Sequence, residues 1–291
     1  MKIILFLSAL FLCFTLRAEV KICAHCGKGS RRMLYSAENK FFCSRQCAKA
    51  KFSCSHCGKI PKGRYMMIMG NDGQYKRFCG SCSQMKKCFS CHYPTPNGKS
   101  FEDGRIQCLP CSRNAVTPEK ARQILNALRS DLSEMYGYDT RHRITLRLVS
   151  KSALQKIANS NEAMGCMKTQ VTTQTRTRGS RKKVTKKWQC TLYLLDNLPQ
   201  VLAAKVIAHE LTHDHLYHHA GSGAPPKVTE GICEAVSAQW LQTRGFNSYV
   251  EAMQKNPDPV YGTGFREIFP QLKRYGLKGV IERHRYMFKP F

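Results

Sequence analysis

The sequence predicts an α+β fold over residues 113–291, preceded by a string of small metal-stapled modules over residues 19–112. Three observations predict it. Twelve of the sixteen cysteines crowd into residues 19–112 as close pairs, with no long amphipathic period between them. The remainder carries long apolar repeats at helical spacing and two runs that alternate as strands do. Inside one of the helical repeats lies His209-Glu210-Leu211-Thr212-His213.

The chain opens on Lys2, an apolar run from Ile3 to Phe14 and then Ala18, the layout of a secretory leader. Residues 1–18 are therefore expected to be a signal peptide and the protein to be exported, periplasmic or secreted. The apolar run is too short for a comfortable membrane span.

The twelve cysteines form three sets: Cys23, Cys26, Cys43 and Cys47; Cys54, Cys57, Cys79 and Cys82; Cys88, Cys91, Cys108 and Cys111. In each, two close pairs stand about twenty residues apart, so four sulfurs can reach one tetrahedral Zn²⁺. Four protein ligands leave no open position, so these three zinc ions are structural. A disulfide framework is the competing reading in an oxidising compartment, but repeated Cys-x-x-Cys pairs suit a metal knuckle better. His25 and His56, inside the knuckles, read as bystanders. Each four-thiolate set carries a net charge of −2, so the formal +28 overstates the field. The balance is still strongly basic, which favours acidic partners or anionic surfaces.

Past Arg113 the elements follow in order. Thr117 with Pro118 is a helix start, and Ala121, Ile124, Leu125, Leu128, Leu132 and Met135 share one face until Gly137. Ile144, Leu146 and Leu148 alternate with polar neighbours as a half-buried strand, and a short helix is expected over 152–159. The basic stretch 176–187 reads as a surface loop or hairpin tip, with docking to an anionic surface as its sharper reading. A strand over 188–196 is expected to be the edge along which an extended peptide lies. Helices are expected over 198–219, 228–243, 263–275 and 277–286. Of the remaining cysteines, Cys166 and Cys190 offer a disulfide across the basic stretch, with buried thiols as the bland reading.

Histidines at i and i+4 share one helix face, so His209 and His213 can hold one metal ion with Glu210 beside it. The following helix offers Glu230 and Glu234, four apart, as alternatives for a third ligand. Asp214 is a candidate to orient a ligand histidine, while His215, His218 and His219 read as a polar helix end. Tyr261, in Tyr-Gly-Thr-Gly, is the candidate donor for a developing oxyanion.

Several stretches carry a more specific signal: CFSCHYPTPNGKSFEDGRIQCLPC, MGCMKTQVTT, CTLYLLDNLPQVLAAKVIAHELTH, VTEGICEAVSAQWL and PVYGTGFREIFPQLKRYGLKGVIE. Together they resemble the ubiquitin-activated LIM peptidases of plants, the DA1 type, from about Cys88 almost to the C-terminus. The resemblance implies a LIM-like zinc finger joined to a glutamate-zincin peptidase domain. It implies His209, His213 and Glu230 as zinc ligands and Glu210 as catalytic base. The run from Gly231 to Ser237 also looks like the third-ligand helix of thermolysin-type enzymes, which favours Glu234. The plant pattern covers far more of the chain, and Glu230 is assigned on that ground.

The expectation is thus a zincin-like metallopeptidase domain behind three zinc modules, with one catalytic and about three structural Zn²⁺. Its partner would be a protein or peptide substrate, acidic by charge complementarity. Two competitors remain: a zinc-finger adaptor whose peptidase fold has decayed, and a nucleic-acid-binding finger protein. Intact His-Glu-x-x-His argues against the first. The leader, and the lack of a two-Cys two-His helix for the major groove, argue against the second.

Overall fold

The computed structural model describes residues 20–31, 35–37, 39–138, 142–178 and 181–289, with backbone alone at 35, 37, 176–178, 181–183 and 185–187. The leader-like residues 1–18 lie outside the described residues. Among the described residues, no helix is long and apolar enough to cross a membrane. The chain divides into two compact units, Met1–Met66 with Arg77–Gly80, and Met67–Lys76 with Ser81–Phe291.

The first unit is built on cysteine knuckles. Strand Lys21–Ile22 pairs antiparallel with Gly29–Ser30, and Tyr35–Ala37 with Lys40–Phe42. Helix Arg45–Phe52 follows, its first turn closed by Ser44 Oγ accepting from the Cys47 amide at 3.1 Å. In the first knuckle the Cys23 carbonyl accepts from the Gly27 amide at 3.0 Å, and in the second Cys54 accepts from Gly58 at 2.9 Å. Both glycines sit at positive φ, 73° and 69°, where a side chain would be strained. The same turn recurs in the second unit, where Cys88 accepts from His92 at 2.9 Å and His92 itself adopts φ 64°. One local geometry therefore serves all three cysteine sets.

The second unit mixes helices and strands. Its third cysteine module, with strands Lys99–Ser100 and Ile106–Gln107 and helix Leu109–Arg113, leads into α1, Pro118–Tyr136. Thr117 Oγ1 caps α1 by accepting from the Lys120 amide, and Gly137 at φ 68° ends it. Ala121, Leu125, Leu128 and Leu132 are the buried stripe, as the spacing predicts. Strand β1, Ile144–Val149, is followed by α2, Lys151–Ala158, capped by Ser150 and stopped by left-handed Asn159.

A long antiparallel hairpin then forms from β2, Gly165–Arg178, and β3, Arg181–Leu195. The basic stretch 176–187 is thus the end of this hairpin, paired as strand on both sides; most of its side chains lie outside the described residues. On its other side β3 pairs in parallel with β1, Cys190 opposite Ile144 through Leu195 opposite Val149. The strand order is β2-β3-β1. This corrects one expectation: the 188–196 strand is central, and the edge is β2. Alternation along β3 reports that its side chains are buried, but which strands flank it depends on pairing distant in sequence.

Helices α3, Gln200–His219, α4, Pro226–Thr243, α5, Asn247–Gln254, and α6, Tyr261–Arg283, complete the unit. α3 is buried on nearly all sides, from Leu202, Ala203 and Ile207 to Leu211 and Leu216, as a central core helix must be. The core joins these residues to Leu128 and Leu132 of α1, Leu192 and Leu194 of β3, Ile232 and Val236 of α4, and Phe265 and Phe269 of α6. The two C-terminal helices expected from sequence are both present as the two halves of α6, meeting at Gly276, whose φ of 65° and ψ of 175° are not helical. α5 has no counterpart in the sequence reading.

The third cysteine module is braced to this core. Arg105, 6% exposed, donates to the Asp196 carbonyl at 3.1 Å and to Oδ1 of the same residue at 2.5 Å. Phe89 and Phe101 face its guanidinium at 4.6 and 4.8 Å. Gln107 Nε2 donates to the Asn197 carbonyl at 2.6 Å. Asp196 and Asn197 form the turn that carries β3 into α3.

Candidate metal centre

The i, i+4 spacing on α3 brings His213 Nε2 to 3.1 Å from His209 Nε2. Glu230 of α4 meets both: Oε2 stands 3.0 Å from His209 Nε2 and 3.4 Å from His213 Nε2. Donors spaced by 3.0–3.4 Å match the edges of a tetrahedron with zinc–nitrogen bonds, about 3.3 Å. Two imidazoles and one carboxylate are the donor chemistry that a divalent borderline cation takes, and three ligands leave a fourth position open. The residues present fit such an ion.

Glu234 lies on the far side of His209, its Oε1 3.0 Å from Nδ1 and its Oε2 2.9 Å from Lys205 Nζ. Burial opposes charge on His209, yet carboxylates at both ring nitrogens prevail and hold its pKa up at about 10. Glu230 and Glu234 in turn are held down at about 2 despite burial, Glu230 by the two histidines and Glu234 by Lys205 and His209. The cluster calls for positive charge at its centre.

Glu210, 7% exposed, accepts from the Met167 amide through Oε2 at 2.8 Å. This contact ties α3 to the edge strand β2. Gly165 makes the approach possible: a Cβ there would stand 2.5 Å from Val206 Cγ1 and 3.0 Å from Glu210 Oε1. Met164 directs its carbonyl to the Leu195 amide, so by strand alternation Met167 faces the other way, out from the sheet.

Tyr261 opens α6, its ring centroid 6.3 Å from that of His209. Burial, then the three nearby glutamates, push its hydroxyl up to about 12, so it stays a protonated donor at neutral pH. Two glycine contacts hold it there. A Cβ on Gly231 would lie 2.7 Å from the Gly264 carbonyl, and one on Gly262 would lie 2.1 Å from the Asn256 carbonyl. α4 and α6 therefore touch backbone to backbone beside Glu230. Together these groups line a cavity of about 800 Å³, walled by Met164 to Met167 of the edge strand on one side and Asn256, Asp258 and Tyr261 on another.

Two expectations change, and of the two readings of Cys166 and Cys190 it is the free thiols that hold. Asp214 faces away from His209 and His213 and pairs with His142, Nε2 to Oδ2 at 3.0 Å. His215 and His218 are 8% exposed and half-buried respectively, not a polar helix end; only His219 is exposed. Cys166 and Cys190 are both free thiols, and Cys190 pairs across the hairpin with Thr169, not Cys166. Cys233, a leftover cysteine expected as a buried thiol, is fully buried, and its Sγ comes within 4.8 Å of the His209 and His213 nitrogens, a proximity that the sequence did not reveal. Burial raises its pKa well above the ordinary thiol value, which keeps it neutral behind the site.

The four-cysteine sets are compatible with zinc-binding modules. The sulfurs of Cys23, Cys26, Cys43 and Cys47 lie within 4.8 Å of one another, as do those of Cys88, Cys91, Cys108 and Cys111. Cys26 and Cys47 each stand 3.5 Å from Cys43, and Cys91 stands 3.8 Å from Cys108, close to the edge of about 3.8 Å that a tetrahedron of zinc–thiolate bonds requires. Of the middle set, Cys54, Cys57 and Cys79 fall in the first unit, with Cys57 and Cys79 3.9 Å apart, and Cys82 in the second. Among the described residues no cysteine is disulfide-bonded, and His25 and His56 are exposed. In the first set the amides of Cys26 and Cys43 lower the Cys23 thiol to about 6.

Comparison with known proteins places this geometry in a family context. The DA1-like family model, described as Protein DA1, matches residues 120–256. Protein DA1-related 2 of Arabidopsis thaliana is 25% identical over 268 residues, covering 71% of this chain and 49% of that protein. Protein DA1 of the same plant is 22% identical, covering 89% of this chain and 61% of its own length. The LIM domain-containing protein HDR3 of Oryza sativa subsp. japonica is 23% identical over 68% of this chain and 53% of its own. The chain thus resembles the DA1 family, and it spans about half to three-fifths of the length of these relatives. No solved structure matches it.

Proposed function

We propose that this chain, a relative of the DA1 proteins, is a zinc-dependent peptidase with a zincin-like catalytic domain. The observation that carries the reading is the convergence of His209 Nε2, His213 Nε2 and Glu230 Oε2 within 3.0–3.4 Å, with Glu210 on the adjoining turn. His209, His213 and Glu230 would hold the ion, and Glu234 with Lys205 would fix the ring of His209. When bound, zinc supplies a Lewis acid for the scissile carbonyl and lowers the pKa of water toward 7.

The chain's own groups then divide the work. Glu210 takes a proton from the attacking water and returns it to the leaving amine. The Tyr261 hydroxyl donates to the oxygen that gains charge. Beyond Met167, whose amide is taken by Glu210, the outward backbone of the edge strand β2 would offer an extended peptide a strand partner. The three four-cysteine modules would hold structural zinc and present substrate or partners. Export, and docking of the basic hairpin end to an anionic surface, complete the proposal; they rest on residues 1–18 and 176–187 alone.

The test is digestion of a denatured peptide library by the full chain and by Glu210→Gln. Cleavage by the first should fall on the order of 10²–10⁴-fold in the second with zinc content unchanged. Equal cleavage by both, or none by the zinc-loaded protein, refutes the peptidase reading.

A further inference from the structure

The face of α3 that turns away from the candidate active site carries a second constellation. Asp214 and His218 stand at i, i+4, one residue out of step with His209 and His213 at Asp214. They meet His142, just ahead of β1, and Cys190 of the central strand β3. Nitrogen, oxygen and sulfur donors of these four residues lie within 4.8 Å of one another. Asp214 is at the centre: Oδ2 is 3.0 Å from His142 Nε2, and Oδ1 is 3.4 Å from His218 Nε2 and 3.7 Å from Cys190 Sγ.

Two features make this more than a buried ion pair. The Asp214 side chain is fully buried, yet its only ion-pair partners among the described residues are two histidines, which are cationic only if protonated. His218 Nε2 is itself buried and, despite its distance to Asp214, makes no hydrogen bond of acceptable geometry. A buried imidazole nitrogen without a proton partner is free to ligate a metal ion. Thr169 Oγ1, 3.5 Å from the Cys190 thiol, can hydrogen-bond it but cannot neutralise a thiolate.

The geometry points to a second, closed metal site, in which His142, Cys190, Asp214 and His218 hold one Zn²⁺ as a structural ion. Two nitrogens, one oxygen and one sulfur are a donor set that tetrahedral zinc accepts, with donor separations of about 3.3–3.7 Å. Binding displaces the Cys190 thiol proton to solvent, and the ion's two positive charges balance one thiolate and one carboxylate. With four protein ligands there is no open position, so the site does no chemistry. It joins the central strand and the approach to β1 to the helix that bears His209 and His213. This inference stands apart from the peptidase reading and from the three cysteine modules.

The test is zinc content of the purified full chain by elemental analysis, beside Cys190→Ser, His218→Ala and the double variant. Each single variant is expected to lose one zinc equivalent, and the double variant also one, because both residues serve the same ion. Folded variants with undiminished zinc overturn the proposal. If the variants fail to fold, anomalous diffraction at the zinc edge from the unaltered protein decides. A peak among the four side chains supports the site. Its absence, with peaks at the cysteine modules, refutes it.

Discussion

Glu234 approaches Nδ1 of His209 at 3.0 Å, leaving Nε2 of the same ring to face Glu230. Two glutamates one helical turn apart therefore take opposite ends of one imidazole. With a metal at Nε2, the Nδ1 proton is donated to Glu234, which sets the tautomer and orientation of the ring. Glu230→Ala should lose the exchangeable zinc. Glu234→Ala should keep it with affinity lower by roughly 10–100-fold, the usual cost of removing such a partner. Zinc titration of the two metal-stripped variants checks this, and the reverse order of losses would exchange the two assignments.

Tyr261→Phe tests the donor role. The phenol is half-exposed and caps no helix, so the fold should tolerate its loss. Turnover should fall on the order of 10²–10³-fold with KM little changed, as when one oxyanion donor is removed. Peptide kinetics on the purified variant decide; unaltered turnover removes Tyr261 from the mechanism.

Gly165→Ala tests the contact between edge strand and base. The added methyl would meet Val206 at 2.5 Å and Glu210 at 3.0 Å, so either β2 withdraws or Glu210 moves. Peptidase activity should drop sharply while zinc content stays at the parent level. A fully active Gly165→Ala protein would mean that Glu210 does not depend on this approach.

Gly231→Ala tests the backbone contact of α4 with α6. A Cβ at 2.7 Å from the Gly264 carbonyl has no flexible neighbour to displace. Overpacking of this kind costs about 1–3 kcal/mol. Thermal or urea unfolding should show the loss, and since Glu230 precedes the glycine, zinc affinity should weaken with it.

Local features of this chain were legible in its sequence, and those decided by distant pairing were not. Thr117, Pro118 and Gly137 bound α1 because caps act within a turn of the chain. His209 and His213 share a face because helical spacing alone brings them together. Gly276 divides α6 at the point where the two expected segments abut, again through its own backbone freedom. By contrast, β2 is the edge because β1 returns in parallel along β3, which no alternation along 188–196 reports. Asp214 was misread for the same reason: its partner His142 is 72 residues away. α5 escaped because Phe246 begins it without a capping side chain. The closeness of Glu210 to Met167 was equally hidden, although Gly165 in an otherwise β-forming run was its trace.

Arg105 bears on how the protein can be dissected. Its guanidinium, packed against Phe89 and Phe101, closes the turn at Asp196, and Gln107 closes the carbonyl of Asn197. Just beyond, the Val116 amide takes the Leu198 carbonyl at 2.9 Å. A fragment starting at Thr117 would strip every one of these groups from the root of α3 while leaving its histidines in place. Such a piece would keep the recognisable motif and lose the scaffolding that aims it, so silence from it in an assay would say nothing about the intact chain. A minimal portable unit has to begin ahead of Cys88.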